Sequence, residues 1–525
     1  MLSTPTTSVS ESSVLTAGSS IDVDFVGRLE RLSGERPDDV VFADDEGDTT
    51  FAQLDRLASR VAGLLFDMGV EPGDRVAIMA GSHTRYVGGV YGIWKAGAIL
   101  VLLNAQLGPA ELRYQLEQSG TTVVLSDAGE METTVRRALE GVPRSVPIRT
   151  LGVHLGRERA AIAVAPDADA SISYTSGTTG VPKGAVHTHR SLAVQVHMAR
   201  LRYSISSTDR VLSLLPVYLL PDLLLGPVVA LEAGAWCRIM AKYDPVAFVE
   251  HVRRDQITAV GPTVPVLYGD ILERYGEAAE SVDLSSIRIA GCGGSPIAPE
   301  TRRAFEERFG FRFVHAYGTT EAPALVTTDP FDQDREFLSV GKPLPHIEVT
   351  IEDDTGAMVP ANEIGEICFG AARTGAYAGI YEPMRCYWNM PNESAEAFRG
   401  GRLRSGDLGY LDDGGFLFIS DRLKDMIIRG GMNVYPKELE NLLYQDPRVL
   451  ECAVIGLPHD RYGEVPIAVI RVASASDLRY ADAIALVNDH TARFKHLAEV
   501  RFVDDFPRNA LGKILKRELR AAHQT

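Results

Sequence analysis

The sequence predicts an α/β fold: a large N-terminal domain of parallel α/β subdomains plus a β-rich subdomain, followed by a small α+β C-terminal lid domain. Three observations carry this. Helix-period and strand-like segments alternate from Thr50 to about Tyr203. Short strands with turn signals replace that alternation over about residues 335–420. A charged connector, Asp421-Arg422-Leu423-Lys424-Asp425, then precedes a mixed tail of roughly a hundred residues.

Taken in order, residues 1–20 are rich in Ser and Thr with no basic start and no apolar run, and read as a disordered leader rather than a signal peptide. Thr50 and Gln53 have capping-box spacing, and Phe51, Leu54, Leu57, Val61, Leu64, Leu65 and Met68 repeat at helical spacing up to Gly69. Arg75–Met79 reads as a buried strand, and a second helix–strand pair runs from Trp94 to Leu103. Ser171–Tyr174 is a short strand, and a helix spans Ser191 to about Tyr203. Ile347-Glu348-Val349-Thr350-Ile351 before Asp353-Asp354-Thr355-Gly356 is a strand and turn of the β-rich part, and strands are expected near 450–456 and 465–472. The expected boundaries are a leader at 1–20, an N-terminal domain at 21–420, a hinge at 421–425 and a lid at 426–525.

With 53 basic against 70 acidic residues the net charge is −17, which argues against nucleic acid as the main partner. The cysteines at 237, 292, 368, 386 and 452 form no C-x-x-C pair or metal-finger spacing, and read as thiols in a reducing cytoplasm. The lipophilic stretch Leu214–Leu231 is interrupted by Pro216, Pro221, Asp222 and Pro227, so it reads as core or pocket wall and no membrane span is expected.

Tyr174-Thr175-Ser176-Gly177-Thr178-Thr179-Gly180-Val181-Pro182-Lys183-Gly184 is built to hold a polyphosphate. Glycines 177, 180 and 184 let backbone approach phosphate oxygens closely. Their N–H groups and the hydroxyls of Thr175, Ser176, Thr178 and Thr179 can form an anion-binding concavity, to which Lys183 adds a mobile charge. The spacing is not that of the common P-loop, because Pro182 precedes the lysine and Gly184 follows it. A flexible surface turn would account for the glycines and threonines but not for the Pro-Lys-Gly ending.

Further motifs, in order, resemble those of the adenylate-forming enzymes: acyl- and aryl-CoA synthetases, peptide-synthetase adenylation domains and luciferases. The resemblance covers about residues 40–520. Gly291-Cys292-Gly293-Gly294-Ser295-Pro296 resembles the glycine-rich strand end beside the adenine and acyl pockets. Tyr317-Gly318-Thr319-Thr320-Glu321 resembles the adenylate motif, with a tyrosine face for adenine, the Thr320 hydroxyl for the α-phosphate and Glu321 for Mg²⁺. Ser405-Gly406-Asp407 resembles the ribose site, and Arg422 the arginine that joins it. The resemblance makes Lys424 the hinge residue and Gly430-Gly431 the opening for a pantetheine arm; a simple hairpin there is equally compatible. Pro507-Arg508-Asn509-Ala510-Leu511-Gly512-Lys513 resembles the C-terminal catalytic loop, with Lys513 bridging substrate carboxylate and α-phosphate.

The resemblance implies two half-reactions: a carboxylate attacks the α-phosphorus of MgATP with loss of pyrophosphate, then a thiol, that of CoA, displaces AMP as the lid rotates. The partners it implies are a small-molecule acid, aromatic or of medium length, with ATP and CoA or a carrier protein; a homodimer is compatible with it. One departure matters. In Pro216-Val217-Tyr218-Leu219-Leu220, Leu219 stands where many aryl-CoA ligases carry a histidine beside the substrate carboxylate. Tyr218, Leu219 and Gly291 are the expected pocket residues, and the lost histidine leaves open an unusual acid or acceptor, such as nitrite in a diazotase-like reaction, or a carrier-protein thiol.

Overall fold

The structure, a computed structural model, describes residues 21–524 apart from 142–145, 154, 176–180, 276–281, 295–298, 331–334, 424, 431, 447, 473–477 and 509–513. It divides into two compact units. The first comprises the chain to Glu348 together with Phe369–Leu403; the second comprises Val349–Cys368 and Arg404–Thr525.

Two sheets build the first unit. One has nine strands in the order Lys342–Pro343, Thr327–Thr328, Arg312–Tyr317, Ile289–Cys292, Ala259–Val260, Arg210–Ser213, Trp236–Ile239, Val40–Asp44, Gly47–Thr50. Its central strands, from Arg312–Tyr317 to Val40–Asp44, are all parallel, and antiparallel strands close both edges. The second sheet has seven strands in the order Cys386–Tyr387, Lys183–Thr188, Asp169–Thr175, Ile99–Leu102, Arg75–Met79, Val123–Ser126, Ile148–Thr150. It is parallel from Asp169–Thr175 onward and antiparallel where Lys183–Thr188 doubles back. Parallel pairs require crossover connections, which is why helical and strand periods alternate in the sequence.

The expected elements form, with small changes of extent. Thr50 caps the Phe51–Asp67 helix: its hydroxyl accepts the Gln53 N–H at 3.3 Å, and Gln53 Oε1 accepts the Thr50 N–H at 2.9 Å. The strand read at Ser171–Tyr174 runs Asp169–Thr175, and the helix read from Ser191 runs His189–Arg202 because Thr188, not a later residue, is its cap. On the Thr84–Lys95 helix, a Cβ at Gly88 or Gly92 would fall 2.4 Å from Leu57 Cδ2 or 2.5 Å from Val61 Cβ, so these glycines admit the Phe51–Asp67 helix at close range. Trp94, fully buried, stacks on Phe25 at 5.2 Å and donates its indole N–H to Ala170 O at 3.1 Å, fixing the start of the phosphate hairpin.

In the second unit, Leu403–Leu411 and Leu417–Arg422 pair antiparallel within a four-stranded sheet that also includes Gly365–Ala371 and Ile347–Glu352. The C-terminal sheet pairs Val449–His459 with Gly463–Val472, which in turn pairs with Ile427–Arg429 and, in parallel, with Glu499–Phe502. Leu439, Leu443, Val454 and Ala468 are among its fully buried core residues. All five cysteines are free thiols; four are buried and Cys386 is half-buried. Among the described residues no helix is long and apolar enough to cross a membrane.

Burial fixes several protonation states in the first unit. It lowers His187 and His189 to about 4 and His346 to about 3. The unfolded value is about 6.5. The unfolded chain therefore binds protons first as pH falls, and each histidine removes about 1.4 kcal/mol of stability per pH unit below about 6.5. Asp222 acts in the opposite sense. Burial raises it from 3.8 to about 8, against hydrogen bonds from Ser213 and the Leu215 backbone. Its contribution is present at low pH and is lost as pH rises toward about 8. Glu232, which burial also raises to about 8, acts in the same sense as Asp222. Thermal midpoints measured across the range about pH 5–8.5 should peak near 6.5, and Asp222→Asn should make the alkaline decline shallower and the acid-side rise steeper.

Candidate active site

In the nine-stranded sheet the chain passes from Arg210–Ser213 to Trp236–Ile239 on one side, then to Ala259–Val260 on the other. The carboxyl ends beside such a reversal form the crevice where open α/β sheets bind ligands. Here those ends lead into the Leu214–Leu219 segment, Gly261-Pro262-Thr263, Gly293-Gly294 and Gly318-Thr319-Thr320-Glu321. Sequence motifs about 100 residues apart are thus gathered along one sheet edge.

The backbone is drawn tight there. A Cβ at Gly318 would lie 1.9 Å from Ala324 O, and one at Gly293 would lie 2.8 Å from Ala316 O. Gly293 N donates to Thr263 O at 2.8 Å, and Gly294 has φ +74°, in the left-handed region. Tyr317 is buried with its ring edge-on to Phe369 at 6.3 Å between centroids, and its carbonyl accepts the Val326 N–H at 2.8 Å. Thr319 Oγ1 accepts the Ala322 N–H at 3.2 Å, closing the turn that presents Thr320 and Glu321. Tyr268 donates to Gly291 O at 3.2 Å and packs on Phe313 at 4.2 Å, so it supports the glycine-rich strand from behind.

Of the phosphate segment, Ser176, Gly177, Thr178, Thr179 and Gly180 lie outside the described residues, and the stem is well defined. Thr175 pairs with Lys183 and Tyr174 with Gly184 across the hairpin. Tyr174 donates to Gln118 Oε1 at 2.6 Å, Tyr114 to Pro182 O at 3.0 Å, and Trp388 N to Gly184 O at 2.7 Å. A Cβ at Gly184 would meet Ile172 Cγ2 at 2.7 Å, so this glycine serves packing of the stem.

The stem and the Glu321 turn meet through residues the sequence reading passed over. Glu321 O accepts the Met384 N–H at 2.6 Å, and Glu321 Oε1 accepts the Tyr387 hydroxyl at 2.8 Å. Lys183 Nζ stands 5.0 Å from the centre of the Tyr387 ring. Tyr387 lies in Met384-Arg385-Cys386-Tyr387-Trp388, a stretch notable in the sequence only because Cys386 stands where a glycine is common in the resembled family. Thr263 Oγ1 is buried at the same sheet edge without a hydrogen-bond partner among the described residues.

Along the expected pocket, Val217 N donates to Ser82 Oγ at 3.1 Å, Tyr218 is buried, and Leu219 packs partly buried against the main core. One turn on, Asp222 accepts Ser213 Oγ–H at 2.8 Å, fully buried and neutral at pH 7. Burial thus favours the neutral form of the segment's one ionisable carboxyl.

The second unit holds the remaining motif residues. Asp407, buried, pairs in register with Arg422, and its N–H donates to Ser405 Oγ at 3.0 Å. Gly406 turns with φ +72° and donates to Glu366 Oε1 at 3.1 Å. Lys437, which no sequence motif flagged, has its pKa lowered by burial against the opposing pull of Glu440, Asp421 and Asp407. Arg429 pairs with Met432, so Gly430 sits in a two-residue hairpin turn with φ +59° and donates to Tyr462 O at 2.7 Å. The simple hairpin is present, and Gly430 lies exposed at its tip. Gly431, Lys424, Ser295 and Lys513 fall outside the described residues. Arg508 and Ile514, which flank the loop containing Lys513, form an antiparallel bridge.

With this geometry in hand the comparisons are decisive: the AMP-binding enzyme family matches residues 29–381 and the AMP-binding enzyme C-terminal domain matches 438–513. The chain belongs to the AMP-binding enzyme family. It is 35% identical over 486 residues to feruloyl-CoA synthase from Amycolatopsis sp, covering 90% of this chain and 93% of that protein. It is 31% identical over 483 residues to the long-chain-fatty-acid–CoA ligase FadD13 of Mycobacterium tuberculosis, covering 90% and 92%. Among solved structures, ATP-bound MatB from Rhodopseudomonas palustris superposes with TM-score 0.86 at 29% identity, covering 96% of this chain and 99% of that one. The large N-terminal and small C-terminal parts expected from the sequence are those of this family's fold.

Gly318→Ala should force the Tyr317–Glu321 turn off the Ala324 carbonyl. The expected result is a stability loss of about 1–3 kcal/mol and weakened ATP binding, checked by thermal melts and calorimetric titration on the same sample.

Proposed function

We propose that this protein is an ATP-dependent, AMP-forming acid–CoA ligase acting on an aromatic or medium-length carboxylic acid. The observation that carries the reading is the meeting of the Thr175/Lys183 hairpin stem with the Thr320-Glu321 turn at the carboxyl ends of parallel strands. The names of the relatives, a feruloyl-CoA synthase and a long-chain-fatty-acid–CoA ligase, support an organic carboxylic acid as the substrate.

In the first step a carboxylate oxygen of the acid bonds to the α-phosphorus of ATP, and the bond to pyrophosphate breaks. The phosphate segment with Lys183 binds the departing charge, and Lys513 and Thr320 stabilise the negative charge at the α-phosphate. Glu321 is the residue suited to hold Mg²⁺, since a hard carboxylate oxygen matches a hard cation, which supplies charge neutralisation on the phosphates when bound. Asp407 and Arg422 hold the ribose, and Gly291, Gly293, Gly294 and Ser295 with Tyr317 flank the adenine and acid. In the second step the thiol sulfur of CoA bonds to the acyl carbon, the bond to AMP breaks, and the thiol proton goes to solvent. A lid movement about Lys424 brings Gly430-Gly431 beside the incoming pantetheine arm. A cytoplasmic location belongs to the same reading and is supported by the unpaired thiols.

Pyrophosphate release, measured with ATP and Mg²⁺ across aromatic and aliphatic acids and nitrite, with and without CoA, tests this. Release with a carboxylic acid and a thioester only when CoA is added is expected; release with nitrite alone, or no thioester with any acid, would overturn it. The tunnel assignment has its own check. Gly430→Trp should cut thioester yield on the order of a hundredfold while sparing pyrophosphate release, and Gly430→Asn, which tolerates a positive φ, should retain both.

A further inference from the structure

Lys183 and Glu321 carry opposite charges and flank the same tyrosine, an arrangement that normally collapses. A lysine and a carboxylate brought together at a protein surface tend to form an ion pair, modest in energy but sufficient to occupy both groups. Among the described residues Lys183 has no carboxylate partner. Its ammonium group instead stands 5.0 Å from the Tyr387 ring centre, and the carboxylate of Glu321 accepts the hydroxyl of the same tyrosine at 2.8 Å. We propose that Tyr387 is a positioning residue that holds Lys183 and Glu321 apart and separately oriented, so that each is free for its own part of MgATP. This rests on the nucleotide site proposed above.

Tyr387 is held firmly enough for that task. Its strand, Cys386–Tyr387, is in register with Val186 and Ala185 of the phosphate hairpin. Backbone bonds on either side, Met384 N to Glu321 O at 2.6 Å and Trp388 N to Gly184 O at 2.7 Å, tie the same short stretch to both elements that it spaces. Ser394 Oγ accepts the Tyr387 N–H at 2.9 Å. Such over-determined placement is what a supporting group needs to orient its neighbours. The ring offers the ammonium group a weak, direction-specific attraction that an incoming phosphate outcompetes.

The two halves of the side chain act on different parts of the ligand, and this makes the proposal testable by binding alone. Calorimetric titrations of the full-length chain with ATP, with and without Mg²⁺, are compared for wild type, Tyr387→Phe, Tyr387→Met, Lys183→Met and the Lys183→Met/Tyr387→Met double variant. Tyr387→Phe, which removes a single oxygen, should weaken MgATP binding about fivefold or more and leave Mg²⁺-free ATP within about twofold. Tyr387→Met should weaken both forms, and its effect on Mg²⁺-free ATP should vanish in the Lys183→Met background. Equal losses for both ligand forms in Tyr387→Phe, or additive losses in the double variant, would reduce Tyr387 to a packing residue and overturn the proposal while the nucleotide site stands. Failure of the wild-type chain to bind MgATP would overturn that site and this role together.

Discussion

Among the parallel strands of the first unit, each connection must return across a face of the sheet, so the carboxyl ends of those strands fall at the same edge. Arg210–Ser213, Ala259–Val260, Ile289–Cys292 and Arg312–Tyr317 are separated by loops and helices of very different length, yet their carboxyl ends are neighbours. The glycines at those ends then decide how near the backbone turns can come. At Gly318 and Gly293 the space that a methyl group needs is already filled by carbonyl oxygens of Ala324 and Ala316. Strand register and turn geometry are therefore one constraint, and the adenylate turn depends on both.

Charge is distributed in a way that net composition conceals. In a chain of net charge −17, many cations of the first unit are paired with carboxylates. Lys95, fully buried, reaches Glu30 and Asp55 at 2.7 Å each, and Arg302 is paired with Asp329 where neither is exposed. Breaking such a buried pair strands a charge, so these cations are committed to the fold. Lys183 differs, because an aromatic ring rather than an anion is its neighbour.

Much of this was legible in the sequence where local physics decides it. The Thr50 capping box, the Arg75–Met79 strand and the Ser171–Tyr174 strand are written in residues within one turn or one strand of each other. What escaped depends on pairing across long separations. Tyr387 meets Glu321 from 66 positions away, and Thr263 and Lys437 carry no local pattern that distinguishes them. Residues 349–368 group with 404–525 through strand pairing, a relation between segments distant in the chain that no local composition marks. The hinge at 421–425 accordingly remains a proposal drawn from family resemblance.

The uncharged Tyr218–Asp222 segment bears on how the acid is held. A histidine beside the substrate would supply a hydrogen-bond donor, and Leu219 removes it. Asp222 does not restore a charge, because burial keeps it protonated at neutral pH and its hydroxyl partner is Ser213. An apolar wall of this kind gains from burying a ring or a methylene chain, at roughly 25 cal/mol per Å² removed from water, but offers nothing to a carboxylate. On the function proposed above, selectivity among acids would follow the shape of their apolar part.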